Sequence, residues 1–219
     1  MTLGPRAHAQ GRLEPLPIEP GSAAVGALGA GLLGGIAGVA WSGALRLWMT
    51  QLVAEPRVTS DTVTMILVPG GVVGGLLGYA WHRRSQGLPT SRWLVAAPLG
   101  LAVVVLVPSY AVQLATTGQG SGALAVPLIG MAGGYALAAR GPRRGRILAG
   151  LLAGAGVVGM SVAPMAMNPG LAAGYPRAVA AALLGGSLML ALIAACAIPH
   201  RRHLTPGPRP ATGVNGGPP

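Results

Sequence analysis

Residues 26–43 read GALGAGLLGGIAGVAWSG, an uncharged run in which small residues recur at every fourth position. The members of this stripe are Gly26, Ala30, Gly34, Gly38 and Ser42. In lipid, small residues at this spacing allow two helix backbones to approach closely, so that packing holds the helices together. The run therefore predicts a membrane helix that packs through its glycines.

The same pattern returns in GGVVGGLLGYAW, residues 70–81. Six of its residues lie forty positions after an identical residue in the first run: Gly71, Gly74, Gly75, Gly78, Ala80 and Trp81. Consecutive membrane spans run in opposite directions, so we interpret the similarity as one packing motif used twice rather than as a proven repeat.

The composition of the whole chain agrees with a protein solvated by lipid. Its 219 residues are 52% hydrophobic and only 9% charged, and the mean hydropathy is +0.60. A soluble domain carries about 25% charged residues, because its surface has to be hydrated. The fifteen cations are all arginine and there is no phenylalanine, which is typical of a GC-rich genome. The arginines lie between apolar runs, and this placement argues against a nucleic-acid-binding face.

Six segments meet the requirement for a spanning helix, which is about 20 mostly apolar residues. They are 22–49, 62–81, 93–115, 122–139, 146–167 and 175–198. The polar stretch TTGQGSG, residues 116–122, predicts a turn between the third and fourth segments. The predicted fold class is therefore an all-α polytopic membrane bundle of six transmembrane helices.

The arginines also predict the orientation of the bundle. With both termini in the cytoplasm, twelve arginines lie inside and three lie outside. The three outside are Arg46, Arg57 and Arg177. A bias of arginine toward cytoplasmic loops is the positive-inside rule, so we predict an N-in/C-in topology in a bacterial plasma (inner) membrane.

Three regions follow from this prediction. Residues 1–20 are expected to form a flexible cytoplasmic tail, and residues 21–199 the six-helix domain. Residues 200–219 include the Pro- and Gly-rich sequence TPGPRPATGVNGGPP, which predicts a disordered cytoplasmic tail.

The end of the first span contains an arginine between tryptophans, and two interpretations of it stay open. In one, Arg46 extends to the outer headgroup region and Trp48 belongs to an aromatic belt. In the other, Arg46 faces the bundle and binds an anionic group, such as a lipid phosphate or the carboxylates of Glu55 and Asp61. An ionisable residue deep in a membrane is a functional candidate, but Arg46 is near a helix end.

The motif Arg46-Leu47-Trp48-Met49, followed by a loop with Pro56 and a second span from Thr62, resembles uncharacterised actinobacterial polytopic membrane proteins. The resemblance covers roughly the first 85 residues. In those relatives an aromatic residue follows the loop proline, whereas Arg57 follows it here. The resemblance implies a multi-pass membrane fold, but no activity and no functional residue.

Residues for catalysis or metal binding are scarce in the spans. No predicted span contains Asp or Glu, which argues against a carboxylate proton relay and an acid–base carboxylate pair. Cys196 is the only cysteine, so no internal disulfide is possible. We therefore predict no catalytic residue, no cofactor and no metal site, and the chain is more consistent with a non-enzyme than with an enzyme.

Two functional classes remain. The first is a structural or accessory membrane subunit whose glycine faces pack internally, against a membrane protein partner, or against a second copy. The second is a small-solute or lipid transporter with a cavity near the outer half of the third helix, where Gln113 lies. Membrane lipids are expected partners, with anionic headgroups at the cytoplasmic arginines, and nucleic acid is not.

Overall fold

The computed structural model describes residues 20–52, 63–117, 121–139, 141–172 and 174–200. Within these ranges every regular element is helical and none is a strand. All but one residue of each predicted tail lies outside the described residues, as does most of the loop that carries Glu55 and Asp61.

The described elements follow one another in a simple order. The α-helices are α1 (Pro20–Met49), α2 (Val68–Ser85), α3 (Arg92–Ala96), α4 (Pro108–Thr117), α5 (Ser121–Leu137), α6 (Arg143–Met167), α7 (Pro169–Ala172) and α8 (Tyr175–Ala197). A π-helical turn, Val63–Leu67, leads into α2, and 3₁₀ segments occupy Thr50–Leu52, Ala97–Leu106 and Ile198–His200.

Four helical stretches are long and apolar enough to cross a membrane. They are Ala24–Met49, Val63–Ser85, Arg143–Met167 and Tyr175–His200. These match the first, second, fifth and sixth predicted spans closely. The third and fourth predicted spans correspond to the shorter apolar helices Arg92–Leu106 and Gly122–Leu137.

The prediction of one continuous helix over 93–115 is wrong. The chain forms the short helix α3, then the 3₁₀ segment Ala97–Leu106, and then α4. Between the last two, Val107 has φ −79° and ψ 120°, an extended conformation. The residue before a proline is disfavoured in the α region, because the proline ring clashes with its backbone. Pro108 therefore interrupts the helix at Val107.

The glycines of α1 and α2 face each other. A methyl group built on Gly34 would lie 2.9 Å from the Cα of Gly78, and one built on Gly38 would lie 3.0 Å from the Cα of Gly74. Residue numbers rise along one helix as they fall along the other, so the pair is antiparallel. The close approach that the small-residue spacing predicts is thus present, and the two glycine-rich runs are partners of each other.

The helices α5, α6 and α8 form a second group in which each contacts the other two. Gly130, Gly133 and Gly134 of α5 leave room for side chains of α8. A methyl group on Gly133 would lie 2.6 Å from Ile193 Cγ1, and one on Gly134 would lie 2.7 Å from Cys196 Cβ. Here glycine accommodates large side chains rather than a second glycine face.

Several connections join the α1–α2 pair to the three-helix group. The 3₁₀ segment Ala97–Leu106 contacts both α2 and α5, and α1 contacts α8 directly. The outer faces of the helices carry large apolar side chains, including Leu33 (70% exposed), Leu151 (66%) and Leu183 (68%). Exposing such apolar side chains to water is unfavourable in free energy, whereas exposing them to lipid is not.

Candidate functional site

The structure describes the side chains of two of the five predicted site residues. Arg46 is half-buried near the end of α1, and Trp48 is buried. Glu55 and Asp61 lie outside the described residues. The backbone of Gln113 belongs to α4, but its side chain also lies outside the described part.

Trp48 lies inside the bundle, with only 7% of its surface exposed. Its ring belongs to the core cluster that includes Met160 of α6 and Met189 of α8. The indole Nε1 lies directly against Gly185, at a position where any side chain would collide with it. Trp48 therefore contacts protein, and this differs from the aromatic-belt interpretation of the motif.

Trp41 makes a second link between the first and last long helices. Its Nε1 donates a hydrogen bond of 2.9 Å to the carbonyl oxygen of Leu188. A helix carbonyl normally accepts from the amide four residues ahead, so the indole adds a bond to α8 from outside the helix. Trp41 thereby fixes the position of α1 along α8.

We expect Trp41→Phe to lower the free energy of unfolding by about 0.5–1.5 kcal/mol, because the smaller phenyl ring keeps an aromatic side chain at this position but cannot donate the hydrogen bond. The measurement is reversible unfolding of the purified protein in mixed micelles. Trp93→Phe is the control, since Trp93 is 73% exposed. Equal losses in the two variants would contradict the assignment.

A third contact lies at the same end of the bundle. The side-chain amide of Asn168, just after α6, donates to the carbonyl oxygen of Gln51 at 3.3 Å. Gln51 belongs to the 3₁₀ segment Thr50–Leu52, which continues α1. The end of α1 is thus held against both α8 and the end of α6.

A groove lies between α1, α2 and α8, with a cavity volume of about 440 Å³. Its lining includes Leu33 and Ala37 of α1, Trp81 of α2, and Ala191 of α8. Leu33 and Trp81 are 70% and 58% exposed, so the groove is open to the surface of the bundle. Among the residues that the structure describes, no charged side chain lines the groove.

One end of the groove is bounded by arginine. Ile198 lines the groove, and the carbonyl of the next residue, Pro199, accepts a hydrogen bond of 3.1 Å from Nη1 of Arg84. Arg84 is three residues beyond Trp81 on α2, so its guanidinium lies where the groove ends. The neighbouring guanidinium of Arg83 lies over the ring of Tyr79, 5.9 Å from its centroid. Arg84 therefore lies near this end of the groove, whereas Arg83 contacts Tyr79, which does not line the groove.

The groove is not where a cavity was expected. The transporter hypothesis placed one near the outer half of the third helix, lined by residues such as Gln113 and Arg46. Arg46 does not line the observed groove, and the side chain of Gln113 lies outside the described part of the chain. The apolar wall could not hydrogen-bond to a polar solute, whereas it suits a hydrocarbon chain.

The described part of the chain offers little for metal chemistry. No three of its His, Cys, Asp or Glu side chains come together as a potential metal site. His82 packs against Gly26, with its Cε1 2.9 Å from where a Cβ would lie. His200 makes an edge contact with the ring of Tyr135 at a centroid separation of 6.4 Å.

Sequence reasoning missed Trp81 as a residue of the groove and the contact of Arg84 with Pro199, because it treated the arginines at the end of α2 only as topology signals. It also missed Gly185 as the partner of Trp48. The pair Gly185–Gly186 within α8 was a usable signal, since small residues in a membrane helix allow a neighbouring element to approach closely. The chain matches no family model, no curated protein and no solved structure.

Proposed function

We propose that the chain is a multi-pass protein of a bacterial plasma membrane and acts as a non-enzymatic structural or accessory subunit. The observation that carries this proposal is the burial pattern. Large apolar side chains cover the outside of long helices, while the glycine faces are used for packing between α1 and α2. The resemblance of residues 46–49 to actinobacterial membrane proteins supports only the multi-pass membrane part of the proposal.

The proposal includes six membrane segments. The apolar helices Arg92–Leu106 and Gly122–Leu137 are shorter than the other four. The third segment also includes α4, and its 3₁₀ geometry makes it longer. Residues in a 3₁₀ helix rise about 2.0 Å each, against about 1.5 Å in an α-helix. Ten residues, Ala97–Leu106, have this geometry, so the segment from Arg92 to Thr117 has the reach to cross the hydrocarbon core.

The proposed topology places both termini in the cytoplasm. In a Cys196→Ala background, we expect Tyr175→Cys to react with a membrane-impermeant maleimide on intact cells, and Gln86→Cys to react only after permeabilisation. Both positions are exposed in the structure, so accessibility depends on the side of the membrane. Labelling of Gln86→Cys alone on intact cells would reverse the assigned orientation.

An accessory subunit requires a partner, which is either another membrane protein or a second copy of this chain. Native mass spectrometry of the complex from gently solubilised membranes tests this requirement. We expect a defined protein stoichiometry above one chain. A chain that is recovered only as a monomer, with or without lipid, would contradict the accessory role.

A lipid transporter is the second candidate, and the apolar groove beside the interrupted third segment favours it over a carrier of polar solutes. The two candidates differ in activity. A transporter would accelerate the movement of a fluorescent phospholipid between leaflets of proteoliposomes, measured by dithionite quenching. A packing subunit would leave the rate at that of protein-free vesicles.

A further inference from the structure

The C-terminal half of α6 contains two features that weaken its helical hydrogen bonding within one turn. Pro164 lies inside the helix and has no N–H, so the carbonyl of Met160 loses the donor that normally lies four residues ahead. The hydroxyl of Ser161 donates to the carbonyl oxygen of Val157 at 2.9 Å, and a side-chain bond of this kind often bends a helix. Helices kink at such positions, so residues 160–164 have the features of a hinge.

The part of α6 beyond this hinge has few buried side chains. Of residues 161–167, only Pro164 is buried. On the other side of the hinge, Ala153 and Met160 belong to the buried core cluster. A segment with few buried contacts opens at a lower free energy than the whole protein does. The end of α6 therefore depends on contacts other than core packing to stay in place.

One such contact comes from α1. Residues 48–52, here called the strap, include Trp48 at the end of α1 and the 3₁₀ segment Thr50–Leu52. The side-chain amide of Asn168, the residue that follows α6, donates to the carbonyl oxygen of Gln51 at 3.3 Å. The strap thus holds the end of α6 on the far side of Pro164.

The strap also reaches the near side of the hinge, through Trp48. Its Nε1 and the carbonyl oxygen of Met160 both lie against the point where a Cβ of Gly185 would be, so the two atoms are within about 5 Å of each other. Nε1 has no hydrogen-bond partner among the residues that the structure describes. The strap therefore places a buried donor beside the carbonyl that Pro164 deprives of one, and it contacts α6 on both sides of the hinge.

We propose that residues 161–168 form a hinged segment, which the strap keeps closed against α1 and α8. Opening bends α6 at Pro164 and moves this segment outward, while the core cluster around Met160 stays packed. The chain thereby has two conformations at one end of the bundle, which differ in the bond from Asn168 to Gln51. The hinge arises from contacts within the chain, so it does not depend on the proposed accessory role.

Hydrogen–deuterium exchange of the full-length protein in mild detergent measures this opening. Asn168→Ala removes the strap bond, and we expect the amides of residues 161–168 to exchange about fivefold faster, the ratio that corresponds to one lost hydrogen bond. Thr116→Ala is the matched control on α4, because it also removes a side-chain bond to a backbone carbonyl, that of Val112. The control should leave the exchange of residues 161–168 unchanged.

Pro164→Ala tests the hinge itself. Alanine supplies the N–H that the Met160 carbonyl lacks and favours a continuous helix, so α6 then holds its own end. In this background, Asn168→Ala is expected to have no resolvable effect on the exchange of residues 161–168. The same increase in both backgrounds would show that Pro164 makes no hinge.

A distance measurement tests the two conformations without changing Pro164. In a Cys196→Ala background, spin labels are attached at Met167→Cys and Leu183→Cys, which are exposed positions on α6 and α8. We expect a second, longer distance between the labels, and Asn168→Ala should increase its population.

Three results would overturn the proposal. A single distance that Asn168→Ala leaves unchanged would mean that the segment has one conformation. Unchanged exchange in Asn168→Ala would mean that the strap does not hold the segment. An equal increase of exchange in the amides of α2 would mean that residues 161–168 open only when the whole bundle unfolds.

Discussion

Gly74→Val is expected to disrupt the pairing of α1 and α2 and to lower the free energy of unfolding by about 3 kcal/mol, near the upper end of what overpacking costs. The first carbon of any side chain at this position would lie 2.8 Å from the Cα of Gly38 and would also collide with the carbonyl oxygen of Gly34. These neighbours are backbone atoms, so no rotation of a side chain relieves the collision. The two helices would have to separate, which removes the close contact along the whole glycine face.

The effect of Gly74→Val is measured by unfolding of the purified protein in mixed micelles, alongside its yield in the membrane fraction. Gly29→Val is the matched control, because nothing lies within 4 Å of a Cβ built on Gly29. Both variants introduce the same branched side chain into a helix, so their difference reports the collision alone. If the two variants lose equal stability, α1 and α2 do not pack through Gly74.

Trp48→Ala is expected to lower the free energy of unfolding by about 3–5 kcal/mol, the usual range for deleting a buried aromatic side chain. The indole is 7% exposed and contacts α6 and α8 together. Its removal leaves a cavity where three helices meet, and Gly185 has no side chain that could fill the space. The loss of packing thus affects the attachment of α1 to the rest of the bundle.

The same unfolding experiment distinguishes Trp48 from a tryptophan in lipid. Trp93→Ala is expected to change stability by less than 1 kcal/mol, in the range for surface positions, because Trp93 is 73% exposed. Trp48→Phe is expected to lose much less than Trp48→Ala, since the phenyl ring retains most of the contacts. A small effect of Trp48→Ala would instead indicate that Trp48 lies at the membrane interface and not in the core.

Most of the long helices could be predicted from sequence because lipid imposes a simple requirement. An uncharged run long enough to cross the membrane must satisfy its own backbone hydrogen bonds, and a helix does so locally. The bounds of α1, α6 and α8 therefore follow from where the apolar runs begin and end. The stripe from Gly26 to Ser42 also indicated a close helix contact, which the structure places on α2.

The third segment could not be predicted in the same way. Its residues are as apolar as those of the other spans, so hydropathy gives no sign of a break. The conformation of Val107 depends on the proline that follows it, and a proline in a membrane helix produces either a bend or a break. Pro127 and Pro164 lie within continuous helices, which illustrates that proline alone does not decide between the two.

The candidate groove could not be predicted from the sequence, for a different reason. Its wall comes from three helices that are distant in the chain, and each contributes ordinary residues such as Ala37, Leu77 and Ala191. The contact of Arg84 with Pro199, near one end of the groove, joins positions 115 residues apart. No local pattern records which helix faces which, so the groove appears only when the helices are assembled.

The bond from Trp41 to Leu188 joins positions 147 residues apart, and this distance has a consequence for biosynthesis. The helices α1 and α2 can pack against each other as soon as both have left the ribosome. Trp41, by contrast, has no Leu188 carbonyl to bind, and Trp48 lacks its contacts with Gly185 and Met189, until the last long helix has been synthesised. Completion of the bundle is therefore a late event in translation, and until then the first helix presents two tryptophans to the surrounding lipid or to a membrane chaperone.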